Sequence, residues 1–128
     1  MVGNWKVLYY AKQDGSQPVK EYLSELSTNE RAKALAFIGL LKEKGPNLPR
    51  PYADLLEDGI HELRIKLQGT QARILYFFCH KNAIVLTNAF DKHTSEVPKD
   101  KIRLAKRGRE DFLSRYDEEK IRRLYDDV

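Results

Sequence analysis

Three segments of strand-forming character, residues 60–67, 72–79 and 83–90, follow one another with only "QGTQ" and "HKN" between them. A parallel pair needs a crossover of about a dozen residues, so these connections force neighbouring antiparallel strands. In the first segment Leu63, Ile65 and Leu67 fall on one face and Glu62, Arg64 and Lys66 on the other, because successive side chains of a strand alternate. The apolar set is expected to pack on helices. The other face carries cations: Arg64, Lys66 and, one strand on, Arg73.

The flanking segments fix the rest of the fold. "WKVLYY" (residues 5–10) reads as a first strand, closed by Gly15 and Pro18. Pro18 starts a helix carrying Val19, Tyr22, Leu23 and Leu26 at helical spacing. "STNE", in which Ser27 or Thr28 can cap, opens a second helix with Ala32, Leu35, Ala36, Ile38, Gly39, Leu40 and Leu41, ending near Gly45 and Pro46. The two helices form a hairpin. "GPNLPRPYADLLEDG" holds three of the five prolines and reads as a loop with a short turn of helix at most. Its "LPRP" has the look of a polyproline ligand, but a connecting loop is the preferred reading. Pro98 opens a last helix to about residue 115, with Ile102, Ala105, Phe112 and Leu113 inward. Residues 116–128 either extend that helix or fray. The expected fold is a single α+β domain over 1–128: a small, twisted, mainly antiparallel four-stranded sheet, a helical hairpin on one face and a C-terminal helix.

Composition narrows the class. With 41% hydrophobic residues the chain of 128 can bury a core, and its continuous apolar runs argue against disorder despite 33% charged residues. No apolar stretch approaches the ~20 residues of a membrane span, and "MVGNWKVLYY" lacks the features of a signal peptide, so a cytoplasmic protein is expected. The one cysteine, Cys79, lies in an apolar run and reads as a small buried hydrophobe without metal-ligand spacing around it. The net charge of +4 is unevenly spread: residues 59–115 hold 12 basic against 6 acidic residues. Such an excess fits a polyanion or an acidic partner, although a charge cluster also arises as a plain solvated helix face.

Cations on one face of a hairpin repel one another, so something negative must compensate. Two candidates stand open. Glu62 and Asp91 can pair internally with Arg64 and Lys92, a functionally silent network. Alternatively the face meets phosphate, for which guanidinium groups supply planar, permanently charged donors. "NAFDKHTSEVPKDK" adds Lys92 and His93 at the end of the last strand, where a rigid sheet positions a loop. Beside Arg64 and Arg73, His93 becomes a candidate proton donor or acceptor, since histidine changes charge near neutrality. His61 and His80 have weaker claims. No Walker loop, Ser-His-Asp signature or metal-ligand cluster is present.

The run "LLEDGIHELRIKL…ARILYFFCHKNAIVLTNAFDKHTSEVPKDKIRLAKRGREDFL" resembles the RelE/HigB toxin superfamily, in particular its phage-derived HigB-like branch. The shared elements are an "ELR" strand, an arginine-hydrophobic-x-aromatic strand, an "F-x-K-basic" strand end and a "P-x-x-x-I-x-x-A" helix, in order over roughly residues 55–113. The resemblance implies a RelE-like fold and the toxin of a type II toxin–antitoxin system. Its activity would be that of a ribosome-dependent, metal-independent mRNA endonuclease that needs no cofactor. Partners would be a cognate antitoxin, the ribosome and mRNA. It assigns the site to Arg64, Arg73, His93, Lys92 and Lys66. Some members carry a tyrosine where this chain has Pro98, which leaves the general base open, with Glu62 and Lys66 as secondary candidates. The basic helix residues Lys99, Arg103, Lys106 and Arg107 are expected to bind ribosomal RNA. The competing reading is a non-catalytic basic module for RNA or antitoxin. It calls for exposed stacking aromatics, whereas Tyr76, Phe77 and Phe78 sit in a central strand and are expected to be buried.

Overall fold

A computed structural model of the chain describes residues 5–126. Part of the N-terminal stretch read for a targeting signal, Met1 to Asn4, and the last two tail residues, Asp127 and Val128, lie outside the described residues. The chain runs β1 (Lys6–Tyr9), α1 (Pro18–Ser24), α2 (Thr28–Lys44), a 3-10 turn (Gly45–Asn47), β2 (Ala53–Glu57), β3 (Ile60–Leu67), β4 (Thr70–Cys79), β5 (Ala83–Lys92), α3 (Lys99–Arg115) and α4 (Glu118–Asp126). One mixed sheet has the order β1-β5-β4-β3-β2, with β1 parallel to β5 and every other pair antiparallel.

The expected meander is present, but the sheet has five strands rather than four. The additional strand is β2, in the proline-rich stretch expected to be a loop. It pairs Ala53 with Leu63 and Leu55 with His61 as an edge strand, broken by a bulge before Glu57. No helix among the described residues is long and apolar enough to cross a membrane.

Alternation along the strands builds two cores. On one face Leu63, Ile65 and Leu67 join Ile74, Tyr76, Ile84 and Leu86 under Val19 and Leu23 of α1 and Ala34, Ile38 and Leu41 of α2. Each large aliphatic side chain buried this way contributes about 1.5–3 kcal/mol. Ser27 caps α2, its hydroxyl accepting from the Glu30 N–H at 3.2 Å. On the opposite face Leu75, Phe77, Val85 and Phe90 pack on Ala105 and Phe112 of α3 and Ile121 of α4. Ile102 is also buried, whereas Leu113 is 44% exposed and does not face inward as expected. One step of about 100° past Phe112 turns it toward solvent. Gly108 holds the inward position instead, in close approach to the Tyr10 ring.

Two local devices hold the layers together. Gly45 ends α2 at φ 55°, and a Cβ there would come within 2.3 Å of the Trp5 indole nitrogen. Gly45→Ala is therefore expected to cost about 1–3 kcal/mol from backbone strain, before any cost of displacing the indole. The reading is a lower urea midpoint at unchanged slope. At the far side, Tyr10 and Arg115 each donate to Asp111 Oδ2 at 2.6 Å, Gln13 donates to its Oδ1 at 3.1 Å, and Arg115 also donates to the Ala11 carbonyl. This clamp ties α3 to the exit of β1. The Tyr10 and Arg115 hydrogen bonds hold the Asp111 carboxyl down at about 2. Burial, then the Asp111 contact, pushes the Tyr10 hydroxyl up to about 12. A depressed carboxyl stabilises the fold fully above its ordinary value of 3.8 and loses that contribution as pH falls through about 2. Asp111→Asn should accordingly flatten the acid limb of the urea midpoint in that window and leave the slope above it unchanged.

Candidate active site

Because antiparallel partners share a face, the register stacks cross-strand rows on the side that α3 covers. The last row before the β3–β4 turn is Lys66–Gln71–Lys92, the next is Arg64–Arg73–Phe90, and the third is Glu62–Leu75–Asn88. α3 closes over the lower rows: Asn88 donates to the Lys101 carbonyl at 3.3 Å, and the Lys101 ammonium lies 5.5 Å from the Phe90 ring centre. At the end left open, four of the five predicted residues, Arg64, Lys66, Arg73 and Lys92, occupy two adjacent rows.

Arg64 and Arg73 stand directly opposite each other, a pairing of like charges that is unfavourable unless screened. Glu62 resolves it. Its Oε1 lies 2.9 Å from Arg73 Nε and its Oε2 3.3 Å from Arg64 Nε, so one carboxylate neutralises both cations from the row below. Glu62 and Arg73 are buried, at 2% and 4% exposure. Arg73 also donates to the Ala72 carbonyl at 3.0 Å and to Gln71 Oε1 at 3.1 Å. Its contact with Glu62 is ionic rather than an aligned hydrogen bond, and burial draws its pKa down against the opposing pull of the carboxylate. Arg64 keeps part of its guanidinium in solvent, with Asp54 at 4.0 Å as a second acid. The internal pairing foreseen for Glu62 and Arg64 thus exists. Asp91 does something else: it faces the helical hairpin and accepts a 2.5 Å hydrogen bond from Tyr22.

Lys66, Gln71, Lys92 and His93 meet around a cleft of about 570 Å³, completed by Thr70, Thr94 and Ser95. His93 is exposed at its rim, where β5 gives way to the loop before α3. Of the helix cations, Lys99, Arg103 and Arg107 recur every fourth residue and form one exposed stripe, with no ion pair among the described residues. Lys106 differs. Its ammonium lies 2.6 Å from Glu57 and 2.7 Å from Asp58, and with Arg109, which donates to the Asp58 carbonyl, it pins the β2–β3 turn to α3. Among the described residues, no group of three or more His, Cys, Asp or Glu is placed to hold a metal ion.

Two features of the site escaped the sequence reading. Gln71 lies between Lys66 and Lys92, and its shared parity with Arg73 was the available signal. Glu62 was read as one partner of Arg64 and as a secondary general-base candidate, not as the bridge between two arginines.

The fold and its cleft define a small α+β protein that gathers cations at one open end of a sheet. Residues 21–110 match the family described as phage-derived protein Gp49-like (DUF891), and the chain belongs to that family, part of the RelE-like toxin superfamily of toxin–antitoxin systems. A cognate antitoxin is the partner such a family implies. No curated protein matches the chain.

Proposed function

We propose that this protein is the toxin of a type II toxin–antitoxin pair of the HigB-like branch, acting in the cytoplasm as a ribosome-dependent mRNA endonuclease. The observation that carries the reading is the placing of Arg64, Lys66 and Lys92 in adjacent rows at the open end of one sheet face, where Lys66, Lys92 and His93 line one cleft and Arg64 lines the pocket next to it. RNA supplies its own nucleophile: the ribose 2′-hydroxyl attacks the adjacent phosphorus, forming a 2′,3′-cyclic phosphate and releasing the 5′-oxygen of the next nucleotide. The protein then has to stabilise the dianionic phosphorane and move protons. Lys66, Lys92 and the solvent-facing part of Arg64 meet the phosphate oxygens. His93 at the rim protonates the departing 5′-oxygen, and water in the open cleft accepts the 2′-hydroxyl proton. Glu62, committed to two guanidinium groups, sets the arginines in place and is not the base, and Arg73 supports the cleft from behind through Gln71.

A translation reaction with purified ribosomes, followed by primer extension on the mRNA, tests this directly. New ends are expected only when ribosomes and protein are both present. Intact mRNA under these conditions would leave a binding module as the better account.

The stripe on α3 gives a separate expectation. Neutralising Lys99 and Arg103 together should lower ribosome affinity and reduce the salt slope by roughly 0.7–0.9 per lost phosphate contact, with cleavage of already bound mRNA nearly unchanged. Lys106→Gln should leave the slope as it is, because Glu57 and Asp58 already neutralise that charge. Binding measured across a salt series checks both.

A further inference from the structure

We infer that the pocket beside the cationic cleft is a nucleobase subsite. The inference takes its ligand class, RNA, from the endonuclease reading above, and concerns the base, the part of the nucleotide that Lys66 and Lys92 do not meet. A second concavity of about 320 Å³ opens near the entrance to β2, lined by Phe37, Tyr52, Arg64 and Ile65. Lys66 and Gln71 line both this pocket and the larger cleft, so a phosphate held in one leaves its nucleoside at the mouth of the other. Its volume lies at the lower end of ligand sites, the size for a single base and its sugar rather than for a larger group.

The lining suits a flat, polarisable, partly polar ring. Tyr52 is 40% exposed, in contrast to Tyr76 and Phe77, which the sheet buries. Phe37 meets its ring edge-on at 6.0 Å and 60°, fixing its orientation without closing it off from solvent. The same pocket is lined by Arg64, whose guanidinium is held by Glu62 and Asp54, a second planar group of the kind on which bases stack. Gln71 accepts from Arg73 through Oε1, which turns its amide N–H groups toward other acceptors, such as those on a base edge. The Tyr52 carbonyl accepts from the Arg64 N–H at 2.8 Å, so the ring is anchored by backbone that a side-chain change leaves in place.

The test uses the purified full chain and a 2′-O-methyl ribotrinucleotide, which cannot be cleaved, compared by fluorescence anisotropy with versions lacking one base at each position in turn. Removing the base at one position is expected to weaken binding roughly 5- to 150-fold, the range of one aromatic stack. Tyr52→Ala should abolish that preference by lowering affinity for the intact trinucleotide alone, and Tyr52→Trp should retain it. Equal affinities of the wild type for all versions, no binding of any of them, or equal weakening of all by Tyr52→Ala would overturn the subsite. A Tyr52→Ala variant that loses antitoxin binding and leaves base preference intact would also do so, giving the pocket to an apolar side chain of a protein partner. Ribosome-dependent cleavage without base preference removes the subsite alone, whereas base preference without cleavage removes the endonuclease reading alone.

Discussion

Arg73→Ala is expected to cost about 3 kcal/mol of stability. At 4% exposure the guanidinium is desolvated, and its removal leaves Glu62 Oε1 buried without its cation. The loss belongs at the lower end of the range for broken buried pairs, because Arg64 still holds Glu62 Oε2. The sequence reading grouped Arg73 with Arg64 and Lys66 as a cation of the polar face; the structure buries it beside Glu62. Urea unfolding measures the difference, with the double variant Arg73→Met, Glu62→Leu as its control. That variant removes both charges and should recover most of the stability, since apolar replacements of a buried pair are often neutral or better. A midpoint for Arg73→Ala close to wild type would show that the buried pair adds no stability.

Arg64→Ala should act the other way round, lowering the rate of cleavage of ribosome-bound mRNA by ~100- to 1,000-fold and leaving the fold intact. Arg64 is the arginine of the pair that reaches solvent, and removing it leaves Glu62 paired with Arg73. The variant should express as soluble protein, relieve growth arrest and bind ribosomes almost as wild type does. Single-turnover cleavage on pre-bound ribosomes separates the two readouts. If Arg64→Ala cleaves within a few-fold of wild type, its place at the phosphate is wrong.

The meander and its two faces were legible because short connections and strict alternation leave a sheet few options. The fifth strand was not. "ADLLE" follows three prolines, carries two acids and gains one partner only, so neither its pattern nor its neighbours mark it as a strand. The gathering of Arg64, Lys66 and Lys92 could be read from parity along the strands. Arg73's burial could not, because a cation at an alternating position looks solvated until the diagonal carboxylate that holds it is placed. The same holds for Lys106: the helix repeat groups it with its neighbours, and only the docked β2–β3 turn supplies Glu57 and Asp58. Asp91 shows the converse error, since proximity in sequence to Lys92 counts for nothing when the two lie on opposite faces of β5.

β1 pairs with β5 alone, in parallel, bringing residue 6 beside residue 83. A chain emerging from its own ribosome therefore carries β1 unpartnered until residues 83–86 of β5 have been made. Lys92 and His93 arrive with the end of that same β5, so neither the row Lys66–Gln71–Lys92 nor the rim of the cleft can exist on a shorter nascent chain. Strand order thus acts as a timer: the protein is assembled on the machine it is proposed to attack, and its topology withholds the cleft until the closing strand is complete.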